Sequence, residues 1–406
     1  MILDDAADPL HTWQYAERHL GGGTRAYSSF SADLEISEPY HPQLGLDRFT
    51  VPTFRVAGTF LTNSVENSVE NSVESTLTKL YRGSDGFLLP VHPETLAHPA
   101  LPGREALRER GPDLTVVPSA NARTVFVERI GGEPVEPHFV KLHYPRRLSR
   151  FTRRLRRPII TLQLWVAEEL LAAGLPVLPE VAGGVLGDDP REAWGFLLRE
   201  SRPRAGGLAF TVPLFALYGH DLRRPGDPTL MEQLAARSGE DPGDWLAGRV
   251  VTPMVELWLR AVTRTGCVLE PHGQNTLFTF DGGGRTAVLY RDCGVYVDPR
   301  TRHDLGLTRD LPPVNVISRD IRQPRERVFS LAYDSFLGHH ALERLAGVAE
   351  TALGVPPERL RQAARDAFDT HVPMPATVHY YEDRLREGGA WDLLDTGEPP
   401  AWRPMS

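Results

Sequence analysis

The segment Glu270-Pro-His-Gly-Gln-Asn275, followed by Arg291-Asp292, holds the residue types best suited to chemistry in this chain. It offers two carboxylates, an imidazole, two amides and a guanidinium. A nucleoside triphosphate with Mg²⁺ needs this mixture, because carboxylates bind the metal while cationic and amide donors bind phosphate oxygens. Each of these residues, taken alone, could serve only in capping or in hydrogen bonding at a strand end. The clustering of all of them around one hairpin favours a binding site.

The spacing of these residues points to ATP. Glu270 and Asn275 stand five positions apart, like the Asp and Asn of a kinase catalytic loop. Asp292-Cys-Gly294 stands where a kinase has its metal-binding Asp-x-Gly. We therefore predict an ATP–Mg²⁺ site built on these residues.

A β-hairpin is expected to position both polar groups. Apolar β-formers occur at 276–280 and 285–290, separated by the turn sequence Asp281-Gly-Gly-Gly284. A further strand is predicted from Cys267, and a helix from Trp245 to Arg264 that ends at Gly266. The polar clusters then lie at strand ends, where side chains from separate segments can converge.

A second polar group lies upstream. It comprises a turn between the β-strands predicted within 114–130, the strand predicted at 138–142, and the arginine-rich run that follows this strand. Ser119, Arg123 and Thr124 could clamp a triphosphate, although a polar strand end explains them equally well. Only two of the 45 basic residues are lysine, so Lys141 is unusual, and a compact ammonium charge suits phosphate. Lys141 and Arg153 could instead belong to a solvated basic face.

The remaining candidates favour structural roles. His92, in Pro90-Val-His-Pro93, is by itself most simply a satisfied turn histidine. Cys267 and Cys293 are the only cysteines, which fits a reducing compartment and excludes a zinc or iron–sulfur site built mainly from thiolates. We expect Cys293 to serve packing rather than nucleophilic catalysis.

Bulk properties limit the classes of partner. The chain has 406 residues, a net charge of −8 and a pI near 6.0, so it can bury a large core but is not a general polyanion binder. No apolar run approaches the length of a membrane span, and the N-terminus is acidic. We expect a cytoplasmic protein without a signal peptide, and neither a nucleic-acid nor a membrane partner.

The element pattern predicts an α+β fold in three regions. Residues 1–110 form a mixed N-terminal region with a low-complexity insert at 63–74, in which NSVE is repeated three times. Residues 111–205 are β-rich. Residues 206–406 are mostly helical and contain the hairpin region 267–294.

These segments, in this order, resemble the siderophore synthetases that work independently of non-ribosomal peptide synthetases, the IucA/IucC-like (aerobactin synthetase) family. The family pattern has a Glu-x-His-Gly-Gln-Asn segment with a later Arg-Asp, an upstream Arg-Thr, a Lys followed twelve residues later by Arg, and a Pro-Val-His-Pro segment. Its counterparts here are Glu270–Asn275, Arg291-Asp292, Arg123-Thr124, Lys141 with Arg153, and Pro90–Pro93.

The resemblance implies a cupped hand of thumb, fingers and palm, with β-rich fingers and a distantly kinase-like palm. The N-terminal region is then a reduced thumb. It implies that a carboxylic acid is activated by ATP as an acyl adenylate, which an amine or hydroxyl attacks to release AMP. The substrates are small molecules, the cofactors are ATP and Mg²⁺, and a homodimer is left open.

The resemblance also assigns roles. Glu270 and Asp292 hold Mg²⁺, Gln274 and Asn275 orient ATP, and Arg291 fixes the loop. Arg153, with His92, grips the carboxylate to be activated. The residues that contact phosphate oxygens are Ser119, Arg123, Thr124, Lys141 and His272, of which Lys141 and His272 join Arg153 as catalytic residues.

The chain departs from the family pattern in length and at both ends. It is shorter than typical members, and a Gly-His-Pro-x-His-Pro segment survives only as Glu38–Pro42. The basic residue expected near the C-terminus is missing from 373–379. Two alternatives therefore stay open, a small-molecule phosphotransferase and a non-catalytic ATP-binding relative.

Overall fold

A computed structural model of the chain describes residues 3, 8–21, 35–63, 76–148, 151–189, 191–317, 325–368, 379–382 and 401–404. The predicted insert beyond Asn63 and the segment 373–378 lie outside the described residues. The predicted α+β class is confirmed, with 39% of the chain helical and 25% in strands.

The strands, in chain order, are β1 Phe49–Val51, β2 Thr53–Val56, β3 Thr59–Thr62, β4 Phe87–Pro90, β5 Glu109–Arg110, β6 Leu114–Pro118, β7 Thr124–Ile130, β8 Glu133–Lys141, β9 Arg147–Leu148, β10 Phe151–Thr152, β11 Glu180–Leu186, β12 Trp194–Glu200, β13 Phe210–Pro213, β14 Cys267–Val268, β15 Thr276–Phe280, β16 Thr286–Tyr290, β17 Tyr296–Val297, β18 His379–Glu382 and β19 Ala401–Pro404.

The α-helices are α1 Pro9–His19, α2 Thr76–Tyr81, α3 Pro93–Leu96, α4 Arg157–Ala172, α5 Phe215–Tyr218, α6 Leu230–Ser238, α7 Pro242–Leu246, α8 Thr252–Thr265, α9 Pro299–Asp304, α10 Arg325–Ser330, α11 Glu343–Leu353 and α12 Pro357–Phe368. Short 3₁₀ helices span Glu38–Tyr40 and Arg104–Ala106, and π-helical segments span Ala247–Val251 and Leu331–Leu342.

A seven-stranded antiparallel sheet forms the first half of the molecule, with the order β1-β6-β7-β8-β12-β11-β3. One face packs on the small sheet β4-β2-β5 through apolar residues such as Phe87 and Phe196. Ile160 and Leu164 of α4 pack against Val185 and Leu197 on the sheet. Because both faces are covered, β11 and most of β12 are buried throughout, as expected for central strands.

The sheet crosses the first predicted region boundary, since β1 and β3 pair with strands from residues 111–205. The three predicted regions and their comparison with thumb, fingers and palm remain a prediction.

The second half is helical around the sheet β13-β15-β16, and it contains the largest hydrophobic core of the described residues. The predicted hairpin is confirmed, with Thr276 opposite Tyr290 and Phe280 opposite Thr286. The strand at Cys267 is also present, but it pairs with β17 rather than with the hairpin. Residues 210–213, expected to open a helical region, are a strand instead because they cover the edge of β15.

The helix predicted over 245–264 is divided into α7, a π-helical turn and α8. Pro253 in the first turn of α8 has no backbone N–H to donate, which accounts for a local change in the hydrogen-bond ladder. The helix ends at Gly266 as predicted, with a φ of +70°. No helix of the described residues is long and apolar enough to cross a membrane.

Candidate active site

The hairpin brings its two polar ends together. The backbone N–H of Arg291 donates to Asn275 O over 2.9 Å, directly beyond the last β15–β16 pair. The Arg291 side chain donates from Nε to Gln274 O at 2.8 Å. The loop 270–275 is therefore held against the segment that begins at Arg291. The function of this contact in a nucleotide site remains a prediction.

Hydrogen bonds within the loop orient its side chains. Asn275 Nδ2 donates to Glu270 O at 3.2 Å, and the Gln274 N–H donates to His272 Nδ1 at 3.2 Å. These residues therefore make local hydrogen bonds at the strand end, which was the structural role predicted as the alternative to a binding site. Burial lowers the pKa of His272 to about 3, so the ring is neutral with Nδ1 as an acceptor. Its proton then lies on Nε2, which can act as a neutral donor.

Lys141 and Asp292 meet at the centre of the site. Lys141 Nζ donates to Asp292 Oδ1 at 2.7 Å and to Gln163 Oε1 at 2.5 Å. The lysine side chain is 3% exposed, whereas that of Asp292 is 25% exposed. A buried lysine between an amide and a carboxylate is held rigidly, so the solvated-face alternative for Lys141 does not apply.

The backbone at Asp292 is unusual. Its φ is +78°, and its Oδ1 also accepts from the Gly294 N–H at 3.2 Å. Aspartate tolerates this left-handed region better than most residues because its side chain can bond the local backbone. The conformation turns the carboxylate toward Lys141 directly after the hairpin.

A fully buried carboxylate, Glu180, supports this centre. It accepts from Arg199 at 2.7 Å and from the Cys293 N–H at 3.3 Å, and it lies 4.0 Å from Lys141 Nζ. Glu180 and Gln163 were not predicted from the sequence. The sequence signal for both was a polar side chain in an otherwise apolar element, Glu180 in β11 and Gln163 in α4. A polar group in such a position needs a buried partner.

The two carboxylates of the predicted metal site titrate very differently. Burial, followed by the charge of Asp292, raises the pKa of Glu270 to about 7. Burial by itself would also raise the pKa of Asp292, but the charges of Lys141 and Arg199 hold it well below the usual range. Asp292 is therefore an anion at neutral pH, and Glu270 is divided between its acid and its anion.

The Ser119–Thr124 loop lies beside Lys141, since Thr124 is directly opposite that lysine in the β7–β8 pair. Asn121 Oδ1 accepts from the Thr124 N–H at 2.8 Å and closes the turn. Ser119 and Thr124 are buried, and the Thr124 hydroxyl has no hydrogen-bond partner in the structure. Two of the predicted phosphate contacts are thus enclosed side chains next to the Lys141–Asp292 pair.

Arg123 and Arg153 form a local positive region. Arg123 NH1 donates to Arg153 O at 3.2 Å, and burial together with the charge of Arg153 lowers the pKa of Arg123 to about 9. Arg153 Nε donates to Leu148 O. Burial raises the pKa of Glu270 and lowers that of His272, and the positive charge of Arg153 opposes the first shift and adds to the second. Arg153 therefore lies within electrostatic range of the motif loop, which comprises residues 270–275. Its contact with a carboxylate substrate remains a prediction.

His92 lies in a different environment. It is fully buried among the rings of Tyr40, Phe49 and Tyr144, and its Nδ1 accepts from the Glu94 N–H at 3.2 Å. Its Nε2 has no hydrogen-bond partner in the structure, and burial lowers its pKa to about 4. The contact of Nδ1 agrees with the predicted turn histidine, whereas Nε2 is not satisfied. The predicted contact with a carboxylate substrate remains a prediction.

An N-terminal residue that the sequence did not single out also reaches the site. Glu17 of α1 forms a buried ion pair with Arg291, and its other oxygen accepts from the Ala120 N–H at 3.1 Å. The signal was its position on the same helical face as Trp13, Ala16 and the C-cap residue Leu20, all of which are buried and apolar.

Comparison with known proteins gives one partial sequence match. The family model for "Ferric iron reductase FhuF-like transporter" matches residues 243–380, which is less than half of the chain but includes the hairpin. No curated protein matches the sequence.

Solved structures give a broader match. The ATP-bound aerobactin synthetase IucA from a hypervirulent pathotype of Klebsiella pneumoniae aligns with a TM-score of 0.64 and 18% identity, over 91% of this chain and 73% of that one. The petrobactin biosynthesis protein AsbB from Bacillus anthracis str. Sterne aligns with a TM-score of 0.66 and 13% identity, over 88% and 67%. The aerobactin synthetase IucC from the same Klebsiella pathotype aligns with a TM-score of 0.59 and 18% identity, over 86% and 65%. At these identities the likeness establishes a shared fold, so the predicted resemblance to siderophore synthetases is confirmed at that level.

Proposed function

We propose, from the fold shared with aerobactin and petrobactin synthetases, that this chain is an ATP-dependent synthetase that joins a carboxylic acid to an amine or alcohol. The reaction would serve siderophore or related natural-product biosynthesis. The observation that carries the proposal is the convergence of Lys141, Asp292 and the 270–275 loop, which come from distant parts of the sequence. One of the proteins that shares the fold is ATP-bound.

The triphosphate would bind between the motif loop and the loop that follows β6. Lys141 provides a fixed ammonium, and neutral His272 provides a donor that does not require a proton from solution. Gln274, Asn275 and Arg291 shape the motif loop through the bonds described above. The remaining phosphate-binding residues of the proposal are Ser119, Arg123 and Thr124.

Glu270 and Asp292 are chemically suited to a Mg²⁺ ion that arrives with the nucleotide. Burial raises the pKa of Glu270 and the negative charge of Asp292 raises it further, so the two carboxylates repel each other. A cation between them would relieve that repulsion. Among the described residues no cluster of three or more His, Cys, Asp or Glu could hold a metal, but nucleotide-bound Mg²⁺ needs only one or two protein carboxylates. When bound, Mg²⁺ would neutralise charge on the triphosphate.

The acid substrate would bind near Arg153, whose charge already acts on Glu270 and His272. In the first step a carboxylate oxygen attacks the α-phosphorus of ATP, and the bond to pyrophosphate breaks. In the second step an amine or hydroxyl attacks the acyl carbon, loses a proton, and AMP leaves. The protein contributes positioning and charge stabilisation in both steps, without a covalent enzyme intermediate.

Product analysis tests the proposal against its alternatives. The purified protein is incubated with ATP, Mg²⁺ and a panel of di- and tricarboxylic acids, with hydroxylamine as the trapping nucleophile. We expect acid-dependent formation of AMP, pyrophosphate and a hydroxamate. Formation of ADP would instead identify a phosphotransferase. If calorimetry detects no binding of ATP–Mg²⁺, the chain is a non-catalytic relative.

A further inference from the structure

Glu17 connects three segments that are far apart in the sequence. Its side chain accepts hydrogen bonds from Trp13 Nε1 at 3.2 Å and from the Ala120 N–H at 3.1 Å, and it pairs with Arg291. Arg291 in turn donates to Gln274 O. One carboxylate thus joins α1, the loop after β6 and the motif loop.

We propose that Glu17 is a positioning residue that sets the distance between the two phosphate-binding loops, so that α1 is a working part of the nucleotide site. This inference rests on the proposed function. The two loops, 119–124 and 270–275, are far apart in the sequence. Most strands of the seven-stranded sheet and several helices lie between Ala120 and Arg291 in the chain, so a tertiary contact is needed to link the loops. A shared buried anion is a direct way to couple them.

The coupling depends on the charge of Glu17 and on the hydrogen bonds that hold its carboxylate in place. The side chain of Glu17 is fully buried, and that of Arg291 is 5% exposed. A buried arginine is stabilised by a fully ionised partner, and removal of one member of such a pair leaves an uncompensated charge. Hydrogen bonds to a charged group are also stronger than those to a neutral amide.

The decisive variant is Glu17→Gln, which keeps the shape of the side chain and removes the charge. Glu169→Gln is a matched control, because Glu169 pairs with the buried Arg302 in a cluster that lacks every proposed site residue. Hydrogen–deuterium exchange is measured on both proteins without nucleotide. We expect about tenfold faster exchange at 119–124 and 272–276 in Glu17→Gln and no change there in Glu169→Gln. Unchanged exchange at both segments in Glu17→Gln would overturn the inference.

A kinetic measurement separates positioning from general stability. A positioning defect should raise the KM for ATP about tenfold with little change in kcat, because it weakens ground-state binding. A loss of folded protein should lower the apparent kcat and leave KM unchanged. This is the largest effect that we expect for Glu169→Gln. If Glu17→Gln behaves in that second way, Glu17 is only structural.

The two hypotheses fail in different ways. If the wild-type protein binds no ATP–Mg²⁺, the proposed function is wrong, and the exchange comparison alone decides the role of Glu17. If Glu17→Gln does not fold, Trp13→Phe replaces it, because this change removes one hydrogen bond to Glu17 and keeps its charge. We then expect faster exchange in the same two segments, and its absence would refute the coupling.

Discussion

Lys141 Nζ and Asp292 Oδ1 lie 2.7 Å apart, although 151 positions separate the two residues in the sequence. Lys141 ends strand β8 of the large sheet, and Asp292 follows the hairpin in the helical half. The ion pair therefore joins the two halves of the molecule at the proposed nucleotide site. Burial would raise the pKa of Asp292, and the charge of Lys141 lowers it, so the lysine keeps the aspartate ionised.

The first prediction concerns the kind of cation at position 141. Lys141→Met should lower turnover on the order of 10²–10³-fold, because it removes a fixed charge from the proposed phosphate site. Lys141→Arg should restore little of this activity, since the lysine is buried against Gln163 and a planar guanidinium needs more room. Acid-dependent pyrophosphate release is the measurement.

The other lysine of the chain provides the control. Lys79 is exposed on α2, and Lys79→Met should leave turnover within a few-fold of wild type. Activity of Lys141→Arg close to wild type would show that a compact ammonium is not required.

The second prediction separates backbone strain from charge at Asp292. Its φ of +78° is unfavourable for alanine, tolerated by asparagine and readily adopted by glycine. We therefore expect thermal stability to be lower in Asp292→Ala than in Asp292→Asn or Asp292→Gly. All three should lose turnover on the order of 10²–10³-fold, because each removes the proposed metal ligand. An Asp292→Asn variant that is as destabilised as Asp292→Ala would indicate that charge, not backbone conformation, dominates stability.

Local features of the site could be predicted from the sequence, whereas its long-range partners could not. The hairpin and its turn follow from β-forming residues around Asp281–Gly284, and the clustering of Glu270 to Asn275 is a property of adjacent positions. That Lys141 and Asp292 belong to one site was expected only from the resemblance to a family, and their direct ion pair was not predicted. Glu17 and Glu180 were missed, because a single carboxylate forms no motif with residues near it in the sequence. The partners of such a residue are determined by tertiary packing.

Helix irregularities show the same limit. The helix predicted over 245–264 contains a π-helical segment, and so does the helical region from Arg325 to Leu353, in which Leu331–Leu342 is π-helical. Phe336, in the second of these, places its ring 5.5 Å from that of His272. A π-helical turn changes which side chains share a face, and hydrophobic periodicity does not record such a change.

The third prediction is a double-mutant cycle between Gly273 and Tyr218. A Cβ at Gly273 would lie 2.5 Å from the Tyr218 hydroxyl oxygen, so Gly273→Ala should destabilise the fold and disturb the motif loop. That hydroxyl is buried without a hydrogen-bond partner in the structure. Tyr218→Phe should therefore be neutral or stabilising, since an unsatisfied buried hydroxyl costs about 1–3 kcal/mol.

The combined variant tests the contact itself. Gly273→Ala with Tyr218→Phe should be more stable than Gly273→Ala alone, because the closest clashing atom is gone. Chemical denaturation of all four proteins gives the coupling free energy. If the two changes in the free energy of unfolding are additive, the new methyl group does not clash with the Tyr218 hydroxyl, because the loop has moved away from it.

The last prediction follows from the raised pKa of Glu270. Its ordinary value of 4.5 rises to about 7 in the folded protein, chiefly by burial and then by the charge of Asp292. Between these values the folded protein holds a proton that the unfolded chain has released, so this group lowers stability as pH rises through that window. Buried histidines with lowered pKa values, such as His92 and His143, have the opposite effect in this window, so the contribution of Glu270 is measured as a difference in slope between variants. The slope in Glu270→Gln should differ from that of wild type, whereas Glu256→Gln, which changes an exposed glutamate on α8, should keep the wild-type slope.

Ligand binding should reverse this protonation. His272 is neutral and Asp292 ionised throughout the window, so Glu270 is the proposed metal-site residue that titrates near neutrality. Binding of ATP–Mg²⁺ brings a cation to this carboxylate, favours its anion and should release well over half a proton at about pH 6.5. Calorimetry in buffers of different ionisation enthalpy measures the release. It should disappear in Glu270→Gln and persist in Glu256→Gln, whereas equal release from both variants would place the metal away from Glu270.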